Sequence, residues 1–212
     1  MRRRSDLVDR EILNPFFGYL LFCGIALLLS TPAALRVRNF EALSLLSGIP
    51  VFFYVHVLFS GILGLNLGAI GAARGETGRS GIARLVSRLL LGEALTLPYL
   101  VFEVALYPGR ESVVVLSFAY AVLVGLLCAL VASLLEVPDA RGAHPFLLKY
   151  AAFAAYLTAP WAFQPVVSPL GMVDALFRGS SFGRLLLGFV AVIALLGIAL
   201  GLACWREGRR HG

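Results

Sequence analysis

The chain has 212 residues, of which 59% are hydrophobic and 14% charged, with a formal net charge of +6 and a mean hydropathy of +0.88. So little polar surface cannot wrap a water-soluble core, which excludes a soluble globular domain and makes lipid the solvent. The surplus of Arg is accounted for by membrane edges that face anionic lipid, with no nucleic acid as partner.

Six apolar runs of around twenty residues each match a hydrocarbon slab of roughly 30 Å at about 1.5 Å rise per residue. They cover residues 14–35, 48–73, 89–107, 113–135, 146–163 and 185–205 of a single transmembrane domain, 1–212. The expected fold is therefore an all-α six-transmembrane-helix bundle. Its first run is too long for a secretory signal and continues into Arg36 and Arg38, so it is expected to be retained.

Orientation follows from Lys and Arg in short loops. With both termini inside, the inner segments hold Arg2, Arg3, Arg4, Arg10, Arg74, Arg79, Arg84, Arg88, Arg141, Lys149, Arg206, Arg209 and Arg210, against Arg36, Arg38, Arg110, Arg178 and Arg184 outside. Residues 1–13 mix charge with Leu7, Val8, Ile12 and Leu13, a pattern for an interfacial helix, and Asn14 and Pro15 read as the start of the first membrane helix.

In the second run Gly61, Gly64, Gly68, Gly71 and Gly75 are spaced three, four, three and four residues apart, which puts them on one helical stripe. Helices in lipid associate by close van der Waals contact, so such a stripe is a packing surface, either within one subunit or at a seam between subunits. Gly197 and Gly201 repeat the spacing in the last run. The inner loop at 71–88, GAARGETGRSGIARLVSR, carries four Arg and one Glu and ends in a half-apolar helical tail. Between runs five and six, Pro160, Pro165 and Pro169 interrupt the stretch 159–184, while Leu170, Met172, Val173, Leu176 and Phe177 suit a short amphipathic helix.

Ionisable groups at membrane depth raise a functional question by default. His56, Glu93 and Glu103 stand out, with antiparallel runs placing His56 near Glu103 and Asn66 near Glu93. The simple alternatives are a hydrogen-bonded neutral His56, a Glu93 paired with Arg88, and a Glu103 solvated at the interface. Gly78, Arg79, Ser80 and Gly81 spell the string of rhomboid-type serine proteases, but His56, His144 and His211 fall outside the sixth run, where that family carries its base. No zinc helix or nucleotide phosphate loop is present, so catalytic residues, bound metal and a cofactor are not expected in this chain. Cys23, Cys128 and Cys204 show no metal or disulfide spacing and read as small packing residues.

The arrangement resembles a permease subunit of the type 2 ABC exporter family, with six helices, cytoplasmic termini and an N-terminal interfacial helix. Glu76, Gly78 and residues 82–88, in RGETGRSGIARLVSR, are similar to that family's ATPase-contacting loop, and residues 160–177 are similar to its short outer helices. The resemblance implies a dimer of permease subunits in a bacterial or archaeal inner membrane, on cytoplasmic ATPase subunits that hold ATP and magnesium. It assigns Glu76, Arg79, Arg84 and Arg88 to ATPase contact, and the glycine stripe with His56 to the subunit seam. The alternatives are a substrate-capture subunit like those of energy-coupling-factor vitamin importers, and a membrane assembly subunit that transports nothing.

Overall fold

The computed structural model describes residues 10–34, 51–76, 78–106, 109–135, 144–158, 160 and 163–211. The described residues form eight α-helices: α1 (Arg10–Ala34), α2 (Val51–Ala73), α3 (Gly78–Ala94), α4 (Leu97–Leu106), α5 (Glu111–Leu135), α6 (His144–Thr158), α7 (Pro169–Phe177) and α8 (Phe182–His211), with one 3-10 turn, Pro165–Val167. Four of them (α1, α2, α5 and α8) are long and apolar enough to cross a membrane, and the bent pair of α3 and α4 adds a fifth crossing if taken as one span. This is compatible with a multi-pass membrane protein.

α1 turns one stripe inward, Ile12, Phe16, Tyr19, Cys23, Ala26 and Ser30, at alternating spacings of four and three residues, while Phe17, Leu21 and Leu28 stay exposed. An outer surface of large apolar side chains is what a lipid solvent allows. α1 and α2 run antiparallel and are tied at both ends. The Ser30 hydroxyl accepts the Phe52 amide at 3.1 Å, an N–H in the first turn of α2 that has no partner within its own helix. At the other end Arg74 reaches Glu11 at 2.6 Å.

The centre is the pair α2 and α5, which run parallel. The Ser60 hydroxyl lies 2.8 Å from the Ala121 carbonyl, and a side-chain carbon added at Gly64 or Gly68 would run into the backbone oxygen of Gly125 or Ala129. Each contact sits four residues beyond the last on both helices, so two ridges of small residues mesh along their length. The neighbouring Gly61 seats the ring of Phe153 from α6. Three of the five stripe glycines are thus covered by this chain's own helices, and they pack the subunit rather than open a seam. Gly71 lies near Glu76, and Gly75 (φ +67°) is outside the helix, in the turn that ends α2. Gly197 and Gly201 face open space.

Several expected boundaries are corrected. α1 is already helical at Arg10, one turn before Asn14 and Pro15, so residues 10–13 belong to it; the expected interfacial helix otherwise falls on residues 1–9, outside the described residues. The run 89–107 is two helices, because α3 starts at Gly78 and a 42° bend separates it from α4. Pro98 accounts for the break: without an N–H it cannot bond the Ala94 carbonyl, and its ring would press on that carbonyl. Thr96 closes the end of α3, its amide at 3.0 Å and its hydroxyl at 2.7 Å donating to the Glu93 carbonyl.

The run 146–163 shrinks to α6, which ends at Thr158 and, at 15 residues, spans about 22 Å. After it, the expected short helices appear as the 3-10 turn and α7. They are held by the Ser168 hydroxyl on the Leu157 carbonyl (2.6 Å) and by Gly171 seated on the Pro165 carbonyl. α8 overruns 185–205 to reach His211, against the expectation that no histidine lies on the last helix. It leans on α5 through Tyr120 and Phe189, whose rings meet edge to face at 5.4 Å, and through Arg206 on the Leu134 carbonyl at 2.8 Å.

The meshed ridges make a direct test. Gly64→Val or Gly68→Val is expected to cost about 1–3 kcal/mol through overpacking against backbone that cannot retreat. Gly201→Ala, in open space, is expected to be neutral or stabilising by up to about 1 kcal/mol. Thermal unfolding of the purified variants in detergent measures both, and equal melting points for the two classes would contradict the packing described.

Candidate polar site within the bundle

Glu93 is buried on α3, near its end, and faces α1 and α2. Its Oε2 accepts from the Tyr19 hydroxyl at 2.7 Å and lies 3.1 Å from His56 Nε2, while its Oε1 lies 2.5 Å from the Ser60 hydroxyl. Three donors from two helices converge on one carboxyl, the arrangement that makes a buried anion tolerable in an apolar surround. Each donor sits on a face already turned inward for packing, so burial of the helices and assembly of the site are one event.

Proton inventory constrains the chemistry. Ser60 has one hydroxyl proton and two acceptors within reach, Glu93 Oε1 and the Ala121 carbonyl. With Glu93 ionised, Ser60 donates to it. With a proton on Oε1, Glu93 donates to Ser60 and Ser60 to Ala121, so the same geometry serves both forms. His56 is wholly buried, and its Nδ1 has no hydrogen-bond partner among the described residues. A hydrogen on Nε2 would face Glu93, whereas one on Nδ1 would be a buried donor without an acceptor. Phe52 and Phe118 stack on the imidazole at 5.6 and 5.2 Å between centroids, and Tyr19 at 5.9 Å, so the ring is gripped on apolar faces.

The structure pairs the expected residues differently. His56 meets Glu93, not Glu103, and buried inside the subunit it is not at a seam. Asn66 meets Tyr150 of α6, which donates to it at 2.9 Å. Arg88 does not serve Glu93. It forks onto Glu76 with contacts of 2.5 and 2.9 Å and is itself buried, while Arg84 approaches the same carboxylate at 3.6 Å. The loop expected to contact an ATPase is a tight corner clamped by its own ion pair, and Gly81 presses on the Glu76 backbone there. Arg79 and Arg84 are the exposed cations of the corner. Glu103 is buried on α4 instead of solvated.

Tyr19 and Ser60 were not singled out in the sequence. Their signal was available: each lies on the inward stripe of its helix, and a buried hydroxyl needs a partner. Among the described residues no group of three or more His, Cys, Asp or Glu side chains is placed to hold a metal ion. Cys23 and Cys128 are buried, whereas Cys204 is exposed on α8 instead of packed. No family model, curated protein or solved structure matches the chain.

Removing one donor from the site is expected to cost about 1–3 kcal/mol, since a charged or buried acceptor loses a partner it cannot replace. Tyr19→Phe takes away one donor. Glu93→Gln costs more, because its amide group confronts one or more of the three donors with hydrogens of its own. Melting temperatures in detergent are expected to fall in the order wild type, Tyr19→Phe, Glu93→Gln; a Glu93→Gln protein as stable as the wild type contradicts the assignment.

Proposed function

We propose that the chain is the permease subunit of an ATP-driven transporter of the bacterial or archaeal inner membrane, working with a cytoplasmic ABC ATPase on which ATP and magnesium reside. In this reading it has six crossings, α6 supplying the sixth, with both termini and the corner between α2 and α3 on the cytoplasmic side. Transport in the outward direction follows from the resemblance to type 2 exporters. The Arg-rich end supports the orientation, since Lys and Arg resist translocation.

The observation that carries the reading is α3. One unbroken helix has Arg79, Ser80 and Arg84 exposed at its start and the buried Glu93 near its finish, followed within a few residues by the bend into α4. A push on the exposed turn travels along the helix as a rigid rod to the polar site, where α1, α2 and α3 are joined. The Glu76 and Arg88 clamp makes the corner stiff, which is what a coupling element requires. Arg79 and Arg84 are the contact residues for an ATPase, while Glu76 and Arg88 position them. A second permease subunit, whether identical or not, meets a face other than the stripe of Gly61, Gly64 and Gly68.

The test is purification of the chain from its native membrane in mild detergent, with identification of what stays bound. A stoichiometric ATPase is expected, lost from the Arg79→Glu variant while that variant keeps the wild-type melting temperature. Arg88→Glu is expected instead to lower the stability of the chain itself, by removing the forked partner of Glu76 and burying a second carboxylate beside it. A chain that retains no ATPase, or one that carries a tightly held small molecule alone, overturns the reading.

A further inference from the structure

Among the described residues two carboxyl groups lie buried inside the bundle, and their surroundings are opposite. Glu93 is met by three donors. Glu103, wholly buried on α4, has neither carboxyl oxygen in a hydrogen bond among the described residues. It belongs to the bent helix pair that qualifies as a span, and its neighbours in sequence, Val101 and Phe102, are exposed and apolar, so the helix around it suits lipid. Glu103 lies two turns beyond the buried Thr96 of the bend, on α4, which packs against α1 and α5. Tyr99, on the adjoining edge, reaches Gly24 of α1 with its hydroxyl.

A carboxylate there would have lost water and gained nothing. An isolated ion moved into an apolar medium costs far more than proton uptake, so the group takes a proton instead. We infer that Glu103 is an intramembrane proton-binding site, a carboxyl that holds its proton in the apolar interior, separate from the polar junction at Glu93. On the two helices packed against α4, the described titratable groups have other engagements or carry no counter-charge at Glu103. α1 carries Arg10, Glu11, Tyr19 and Cys23, and α5 carries Glu111, Tyr120 and Cys128. Glu11 is paired with Arg74, Tyr19 is committed to Glu93, and Glu111 accepts the Gly109 amide at the start of its own helix. No ion pair reaches Glu103 among the described residues, and no metal-binding group includes it.

The site stands near the end of α4, at the end of the bundle opposite Arg74 and Arg206, one turn from the helix terminus at Leu106. Arrival or departure of its proton changes the charge of the membrane interior by one. The inference does not rest on the permease reading.

The test is infrared spectroscopy of the full-length protein in lipid vesicles, compared with Glu103→Gln, which is neutral and nearly the same size. The wild type is expected to show the carbonyl stretch of a protonated carboxylic acid at neutral pH, weakening as pH rises; Glu103→Gln is expected to lack it and to melt at the wild-type temperature. A wild type with no acid band, or an acid band unchanged in Glu103→Gln, overturns the inference. Should Glu103→Gln fail to fold, dicyclohexylcarbodiimide on the wild type decides. This probe adds the O–H of a neutral acid across one C=N bond, and the adduct is located by mass spectrometry. An adduct at Glu103 supports the site, and its absence there overturns it.

Discussion

A single buried carboxyl group organises this molecule. Glu93 is held by Tyr19 of α1 and by His56 and Ser60 of α2, and Ser60 in turn lies against the α5 backbone. In lipid, apolar contact between helices gives no preference over contact with acyl chains, so rotation and depth must be set by packing shape and by polar groups that have no other partner. Glu93 supplies the second of these constraints for three helices together. A turn of any one of them by a single residue would leave a charge or a hydroxyl without its bond.

Shape supplies the first constraint. The meshed small residues of α2 and α5 let two backbones approach until carbonyl oxygens fill the space a side chain would take, and that close contact is the axis around which the other helices assemble. Ser60 belongs to both systems, beginning the ridge at one atom and closing the polar site at the same atom. The most buried pair of helices and the most polar site are therefore one construction. The lipid-facing helices, α8 above all, are left free to be apolar on their outer sides.

The bend between α3 and α4 divides one apolar run into two parts with different tasks. α3 starts in an ion-paired corner with exposed cations and finishes at the polar junction. α4 carries Glu103 into the apolar interior, where neither carboxyl oxygen is hydrogen-bonded among the described residues. Because Pro98 and Thr96 place the break directly after Glu93, the junction and the second carboxyl lie on separately directed rods. Such a layout lets a displacement of α3 be resolved at the bend instead of dragging α4 along its own axis.

Much of the fold was legible in the residues alone. Composition dictated lipid as solvent, run length dictated helices, Arg and Lys marked one end, and the glycine spacing announced a close-packed face. The complement to that face, Ala121, Gly125 and Ala129 at four-residue spacing, was equally present, as was the break at Pro98; both are local signals that can be read without coordinates. The choice of partner was not local. His56 chose Glu93 over Glu103, Arg88 chose Glu76 over Glu93, and Asn66 chose Tyr150, because each pairing depends on how far a helix is rotated and slid against its neighbours. A helical period specifies which residues share a face, and nothing in it says which other face they will meet; that was decided only when backbone contact at the glycines and the hydrogen-bond demand of one carboxyl were satisfied together.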